Sequence, residues 1–188
     1  MSDHPLNIYK DYFEESKIHS FADFINSSDS SSLVAGTIMS IQEKKSAKGN
    51  SFAIIKFTDL KSEFELFLFS DLLVSNRDKL KTANSFVITL QKDSISEAGT
   101  TRRVNIRNIM PLENFVKKSY KNVIIEINGK SNIGELQELL KEDGETKIQI
   151  KVKRESKIYI FSLKKPRKFN FNTFSNIRNK EYVKKVSF

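Results

Sequence analysis

Residues 51–69 read Ser-Phe-Ala-Ile-Ile-Lys-Phe-Thr-Asp-Leu-Lys-Ser-Glu-Phe-Glu-Leu-Phe-Leu-Phe. Apolar side chains recur at every second position on both sides of the polar segment Asp59–Ser62. Such alternation is typical of half-buried strands, and short polar segments between strands form turns. The stretch therefore predicts two paired strands, Phe52–Thr58 and Glu63–Phe69.

The same alternation predicts which side chains face the core. The inward set is Ala53, Ile55, Phe57, Phe64, Leu66 and Leu68. Because successive side chains of a strand point to opposite faces, Phe52 and Lys56 then lie outside on the first strand and Phe67 on the second. We expect an outward pair of aromatic rings beside a cation.

Further elements surround this pair of strands. A strand, Leu33–Ile41, comes first, and Gly36 inside it marks a place where a barrel strand bends or bulges. A hairpin loop over 44–50 follows it. A helix over 71–81 and the strands Phe86–Gln91 and Arg103–Ile109 come after residue 69. Three strands, a helix and two strands form the order of a five-stranded OB-type Greek-key barrel.

The two ends of the chain differ from this middle. Residues 1–32 predict a short helical leader, with helices near Pro5 and Phe21, and a Ser-rich linker over 27–32. Residues 33–112 form the predicted OB-fold domain, and residues 113–188 predict a small basic α+β domain. The fold class is thus mainly β with an α+β tail.

The tail alternates strands and helices. It predicts a strand over 123–127, a helix over 133–140 ended by Asp143-Gly144, a hairpin of residues 148–152 and 158–163, and a final strand over 182–186. Residues 169–179 fit either a helix or a strand. The outer face of the hairpin carries Lys147, Gln149, Lys151 and Lys153.

Charge is distributed unevenly along the chain. The net charge is +9, made of −4 over residues 1–32, +4 over 33–112 and +9 over 113–188. A basic end attracts polyanions or acidic proteins, although a solvated face in a Lys-rich chain has the same composition. Residues 113–188 therefore predict a docking surface for an acidic partner, at Lys147, Lys151, Lys153 and Arg154.

The sequence contains no recognisable catalytic motif. Cys is absent, the two His lie in the leader, and no phosphate-binding glycine loop or nucleophile elbow occurs. We expect no enzyme activity, no catalytic residue, no metal site and no cofactor. The chain also lacks a run of apolar residues that could span a membrane, and its first residues do not resemble a signal peptide, which predicts a cytoplasmic location.

Aromatic rings beside cations are typical of surfaces that bind single-stranded nucleic acid, because bases stack on the rings and phosphates pair with the cations. The predicted set is Lys44, Lys45, Lys48, Phe52, Lys56, Phe67, Arg102, Arg103 and Arg107.

Several segments resemble one family in order and spacing. They are residues 2–6 (Ser-Asp-His-Pro-Leu), 33–36, 48–53, 57–59 and 64–69, followed by 104–113. Together they resemble the region around the OB domain of the alpha subunit of bacterial DNA polymerase III. Residues 113–188 are similar in layout to that family's C-terminal tau-binding domain, with few identities.

The resemblance implies a non-catalytic C-terminal part of a replicative polymerase subunit. Its barrel would bind the single-stranded DNA template, and its last domain would dock the clamp-loader subunit tau and other replisome proteins. Two alternatives remain open: a pure protein-interaction module, and a free-standing OB protein that binds single-stranded nucleic acid. Phe52, Lys56 and Phe67 on an open face favour nucleic acid, whereas the same residues beneath the leader favour a protein partner.

Overall fold

A computed structural model describes residues 4–93, 103–128, 133–154 and 157–188. The chain divides into two compact units, residues 1–115 and 116–188, each with its own sheet. The protein is mainly β, as the sequence predicts. In the described part of the chain, no helix is both long and apolar enough to cross a membrane.

The leader of unit 1 is helical, as predicted, and also contributes a short strand. Its elements are α1 (Lys10–Glu15), β1 (Ile18–His19) and α2 (Phe21–Asn26). The Ser20 side chain accepts a hydrogen bond from Asp23 N and so caps α2. β1 pairs in parallel with the start of the long strand β2 (Ser31–Lys45). The predicted linker is therefore shorter than 27–32, because its last two residues belong to β2.

The rest of unit 1 is one sheet with two helices. After β2 come β3 (Ser51–Thr58), β4 (Glu63–Phe69), α3 (Ser70–Asn76), β5 (Ser85–Lys92), β6 (Val104–Pro111) and α4 (Leu112–Val116). The strand order is β4-β3-β2-β5-β6, and all these neighbours are antiparallel. The edge strands β4 and β6 lie close to each other. No ladder joins them among the described residues, so the sheet is not closed.

The predicted inward side chains form the core of unit 1. All six are buried, Phe64 being the most exposed at 6%. They pack in one cluster with Phe86, Ile88, Leu90, Ile106 and Ile109. The period-two assignment of faces in β3 and β4 is therefore confirmed.

Three local expectations for unit 1 need correction. Strand β2 continues to Lys45, so Lys44 and Lys45 lie in the ladder opposite Phe52 and Ser51 and not in the loop. The irregularity of β2 falls between Ile38 and Ser40 and not at Gly36. A Cβ at Gly36 would lie 3.1 Å from the Phe57 ring, so this glycine makes room for a core side chain. The predicted helix 71–81 is shorter, because a 3-10 turn follows α3.

Unit 2 contains a four-stranded mixed sheet. Its elements are β7 (Asn122–Asn128), α5 (Ile133–Leu139), β8 (Asp143–Arg154), β9 (Lys157–Ser162), α6 (Phe171–Arg178) and β10 (Val183–Ser187). The strand order is β10-β7-β8-β9, with β7 and β8 parallel. Most of the ambiguous segment 169–179 is helix α6, in which Phe174 and Ile177 are buried one turn apart. Asp143 and Gly144 begin β8 and do not cap α5.

Candidate nucleic-acid interface

A groove of about 610 Å³ crosses the outside of unit 1 between the β2–β3 hairpin, strand β4 and the start of β6. Its lining combines aromatic, polar and charged side chains. They are Phe21, Ser46, Asn50, Ser51, Phe52, Glu65, Leu66, Phe67, Phe69, Ser70, Arg103, Val104 and Asn105. The groove thus brings together three residues of the predicted set: Phe52, Phe67 and Arg103.

Three phenylalanines form the apolar floor of this groove. Phe52 in β3 lies directly opposite Phe69 in β4, and Phe67 is the diagonal neighbour of Phe52 on the same face. The ring centroids of Phe52 and Phe67 are 6.2 Å apart, and their planes are inclined by 30°. Phe67 is 49% and Phe69 55% exposed. The predicted outward aromatic pair therefore exists, and Phe69, which the predicted set omits, extends it by the same alternation.

The cations near the groove differ in their surroundings. Arg103 is exposed and lines the groove. Lys44 lies opposite Phe52 and has the parity of the aromatic face, whereas Lys45, opposite Ser51, has the other parity; neither of the two lines the groove. Lys48 is exposed in the hairpin loop beside Gly49, whose φ of 81° makes the tight turn.

Lys56 has a carboxylate partner. Its Nζ lies 2.6 Å from Glu63 Oε2, and Glu65 lies directly opposite it on β4. The hydrogen bond to Glu63 raises the pKa of Lys56, and the charges of Glu63 and Glu65 add to the effect. Lys56 therefore stays protonated, and its positive charge is offset by the Glu63 carboxylate. Glu65 adds a negative charge to the groove itself.

Two of the predicted arginines are not part of the groove as described. The Arg107 guanidinium donates from Nε to Gln91 Oε1 on the neighbouring strand. Arg107 is exposed but does not line the groove. Arg102 lies outside the described residues. Asn50 and Asn105 also line the groove, but the Asn105 amide nitrogen already donates to Asp93 Oδ1 at 2.6 Å, and isolated asparagines give no signal in a sequence.

The leader reaches one end of this groove. The Phe21 ring stacks on the inward ring of Phe64, with centroids 4.3 Å apart and planes inclined by 6°. The Phe21 backbone N donates to Asp59 Oδ2 at 2.7 Å and so fixes the start of α2 against the β3–β4 turn. The leader forms a wall of the groove and leaves Phe67 and Phe69 open.

The predicted docking residues of unit 2 divide between the two faces of its sheet. Lys147, Lys151 and Lys153 alternate along β8 on the face opposite the helices, where Lys151 Nζ lies 3.6 Å from Glu126 Oε2. Arg154 has the parity of the inward residue Ile148 and lies on the other face.

The histidines and acidic side chains of the described residues do not form a cluster of metal ligands. Within the described ranges, no group of three His, Asp or Glu side chains is close enough together to hold a metal ion. His19 Nδ1 lies 2.8 Å from Ser32 Oγ, and His4 Nδ1 accepts from Leu6 N. His19 is thus hydrogen-bonded to the start of β2, and His4 to the backbone of the leader.

Comparison with known proteins assigns no family. No protein-family model matches the chain, and no curated protein matches it. The function is inferred from the groove and from the residue patterns of the sequence.

Proposed function

We propose that unit 1 is an OB-type barrel that binds single-stranded nucleic acid in the groove and has no catalytic activity of its own. The observation that carries the proposal is the open aromatic surface of Phe52, Phe67 and Phe69, with Arg103 at its side. Exposed phenylalanines are costly on a free surface, and stacking with bases would cover them.

The connectivity of unit 1 supports the barrel. Three strands, α3 and two strands occur in the OB order, and the strand order β4-β3-β2-β5-β6 leaves β4 and β6 as adjacent edges. OB folds bind oligonucleotides on the face of their second and third strands, between the first hairpin loop and the last one. The corresponding elements here are β3, β4, the β2–β3 hairpin and Arg103 with the start of β6, and residues of each of these line the groove.

The balance of interactions favours stacking over charge. A base stacked on an aromatic ring contributes roughly 1–3 kcal/mol, whatever the base. Phosphate contacts by Arg103 and the hairpin lysines would add a salt-dependent contribution through counterion release. The negative charge of Glu65 in the groove repels phosphate and reduces this contribution. We therefore expect modest affinity, little sequence preference and a salt dependence that leaves a residual stacking component.

The resemblance of residues 2–113 supports a more specific proposal. The chain would be a C-terminal part of the alpha subunit of a bacterial DNA polymerase III, in which unit 1 holds the single-stranded template. Unit 2 would then dock the clamp-loader subunit tau. The polymerase active site would belong to other parts of that subunit, in keeping with the expectation that this chain has no activity of its own.

A protein-interaction role for unit 1 is the second candidate. The ion pair of Lys56 with Glu63 and the presence of Glu65 favour it, because acidic groups in a groove repel phosphate. Against it, half of the Phe67 surface is exposed, so the leader does not occupy the site.

Fluorescence anisotropy with labelled single-stranded and duplex oligonucleotides over a salt series tests the proposal. The expected result is a preference for single strands that persists at moderate salt and weakens about tenfold in Phe67→Ala. Val74→Ala removes a similarly exposed apolar side chain from α3, away from the groove lining, and should leave binding unchanged. Weak binding that ignores strandedness and vanishes with salt would reject the groove and favour the protein-interaction role.

A further inference from the structure

We propose that the free edge of β9 in unit 2 binds an extended peptide segment as an added strand, and that this segment is apolar at its centre and acidic at both ends. The inference deepens the docking role proposed for unit 2, by naming the surface and the chemistry of its partner. It does not depend on the nucleic-acid role of unit 1.

The first observation is the position of β9 in the sheet. Its described pairing is with β8 alone, from Gln149↔Ser162 to Arg154↔Lys157. The strand order β10-β7-β8-β9 makes it an edge. The outer row of backbone N–H and C=O groups on such a strand is a template for another extended chain.

The second observation is the composition of this edge. Ile158, Tyr159, Ile160 and Phe161 are consecutive, and they are 55%, 44%, 61% and 56% exposed. Soluble proteins usually protect an edge strand with a charge or a proline within it. The four central residues of β9 contain neither, so both faces of the edge offer apolar surface to a partner.

The third observation is a cavity beside one face of the edge. Phe161 borders a cavity of about 520 Å³ between α5 and the sheet, with Leu136, Ile150 and Val152 in its wall. Phe161 lies opposite Ile150 in the ladder, on the side that faces α5. Alternate side chains of an added strand would point toward this cavity, and the remaining ones would contact Ile158 and Ile160 on the open face.

Charge decides which partner fits. Lys153 and Arg154 at the end of β8 adjoin Lys157 at the start of β9, and Lys164 and Lys165 follow the end of β9; all five are exposed. A segment with acidic residues on both sides of an apolar centre would match this arrangement. A second copy of β9 would not, because antiparallel pairing would bring the basic start of one strand against the basic residues that follow the other.

The test uses the full chain and the fluorescein-labelled peptide Asp-Glu-Asp-Val-Ile-Val-Phe-Glu-Asp-Glu, titrated by fluorescence anisotropy. We expect saturable binding. A peptide with lysine in place of every acidic residue, and one with proline in place of its central isoleucine and second valine, should each bind at least about tenfold more weakly. The proline peptide separates backbone pairing from attraction between charged surfaces, because proline donates no hydrogen bond.

Two protein variants locate the site. Ile160→Lys places a charge in the apolar edge and should weaken binding by at least about tenfold. Ile124→Lys adds the same charge to the open face at the central strand β7, where Ile124 is 42% exposed, and should change binding by no more than about twofold. Circular dichroism checks that both variants are folded, and hydrogen exchange with the wild-type chain follows the amides of residues 157–162.

The peptide should slow exchange of the β9 amides. Equal binding of the proline peptide, equal effects of Ile160→Lys and Ile124→Lys, or absence of binding would each overturn the proposal. So would a concentration-dependent dimer whose β9 amides are protected without peptide, since a second copy would then occupy the edge. Oligonucleotide binding, measured in parallel, should be unaffected by Ile160→Lys, so failure of this proposal is distinguishable from failure of the nucleic-acid role.

Discussion

Lys56 Nζ lies 2.6 Å from Glu63 Oε2, across the β3–β4 pair and beside the groove of unit 1. A lysine next to exposed phenylalanines indicates a phosphate contact when only the sequence is known. The structure shows that the Lys56 ammonium group instead forms an ion pair with the Glu63 carboxylate. An exposed ion pair contributes little to stability, so its main consequence is for the charge of the site.

We expect Glu63→Gln to strengthen binding of single-stranded DNA. The change frees Lys56 and removes a charge that repels phosphate, which should raise affinity about twofold to fivefold at low salt and little at high salt. Glu142→Gln breaks a comparable exposed pair, with Lys168 in unit 2, and serves as the control. Unchanged or weaker binding by Glu63→Gln would show that Lys56 does not contact the strand.

Asp59 is expected to be a major determinant of the stability of unit 1. Its carboxylate is buried and accepts hydrogen bonds from the backbone N of Phe21, Lys61 and Ser62, each at 2.7 Å. Asp59→Ala leaves three donors without this acceptor and should lower the free energy of unfolding by about 2–4 kcal/mol in urea titrations. Asp59→Asn retains one acceptor oxygen and should cost less. An alanine variant as stable as the wild type would contradict this role.

Lys92 is expected to hold the end of the leader. This buried side chain donates to the carbonyl oxygens of Ile25, at 3.2 Å, and Ser27, at 2.7 Å, and lies 4.5 Å from the centre of the Phe24 ring. Lys92→Met keeps most of the apolar stem and removes the donor, which should cost about 1–3 kcal/mol by urea unfolding.

The accompanying readout is hydrogen exchange of the α2 amides, which should become faster in Lys92→Met. Lys81→Met, at an exposed position, is the matched control and should change neither quantity. Equal behaviour of the two variants would mean that the leader is held by its apolar contacts alone.

The titration of Tyr182 in unit 2 gives a pH-dependent prediction. Burial raises the pKa of its phenol above the ordinary value of 10.0, and the neighbouring Glu135 carboxylate raises it further. The folded state therefore holds the phenol proton more tightly than the unfolded state does. The resulting contribution to stability is fully present at pH values below 10.0 and is lost as the pH rises through the Tyr182 pKa of the folded protein. Glu135→Gln should lower the Tyr182 pKa without restoring it fully, since burial persists.

Absorbance of the phenolate, or the ring resonances in NMR spectra, measures this pKa. Glu138→Gln is the control, because Glu138 pairs with Lys141, just beyond the end of α5, and does not act on the Tyr182 pKa. If Glu135→Gln leaves the Tyr182 pKa unchanged, the Glu135 carboxylate is not a cause of the raised pKa.

The faces of β3 and β4 could be predicted from the sequence because strand alternation is a local rule. It places Ala53, Ile55 and Leu66 in the core and Phe67 outside, and the structure agrees. Applied to β8, the same rule separates Arg154 from Lys153 and groups it with Val152. Adjacent basic residues of a strand therefore do not form one surface, and the predicted docking set combined two faces.

Other features depend on contacts between distant residues, which no local pattern encodes. The Phe21 amide meets the Asp59 carboxylate 38 positions later, and Lys92 meets Ser27 from 65 positions away. β1 has only two residues and is a strand because β2 lies beside it. The groove itself depends on β6 approaching β4, so Arg103 and Asn105 could not be placed beside Phe67 in advance.

The attachment of the leader to Asp59 and Lys92 has a consequence for synthesis on the ribosome. The leader emerges before either of these residues, and the cluster that receives Phe24 needs β5 as well. A chain made from its N-terminus must therefore carry an unanchored leader until residue 92 has left the exit tunnel. Over that interval Tyr12, Phe13 and Phe24, all buried in the finished protein, remain available to chaperones.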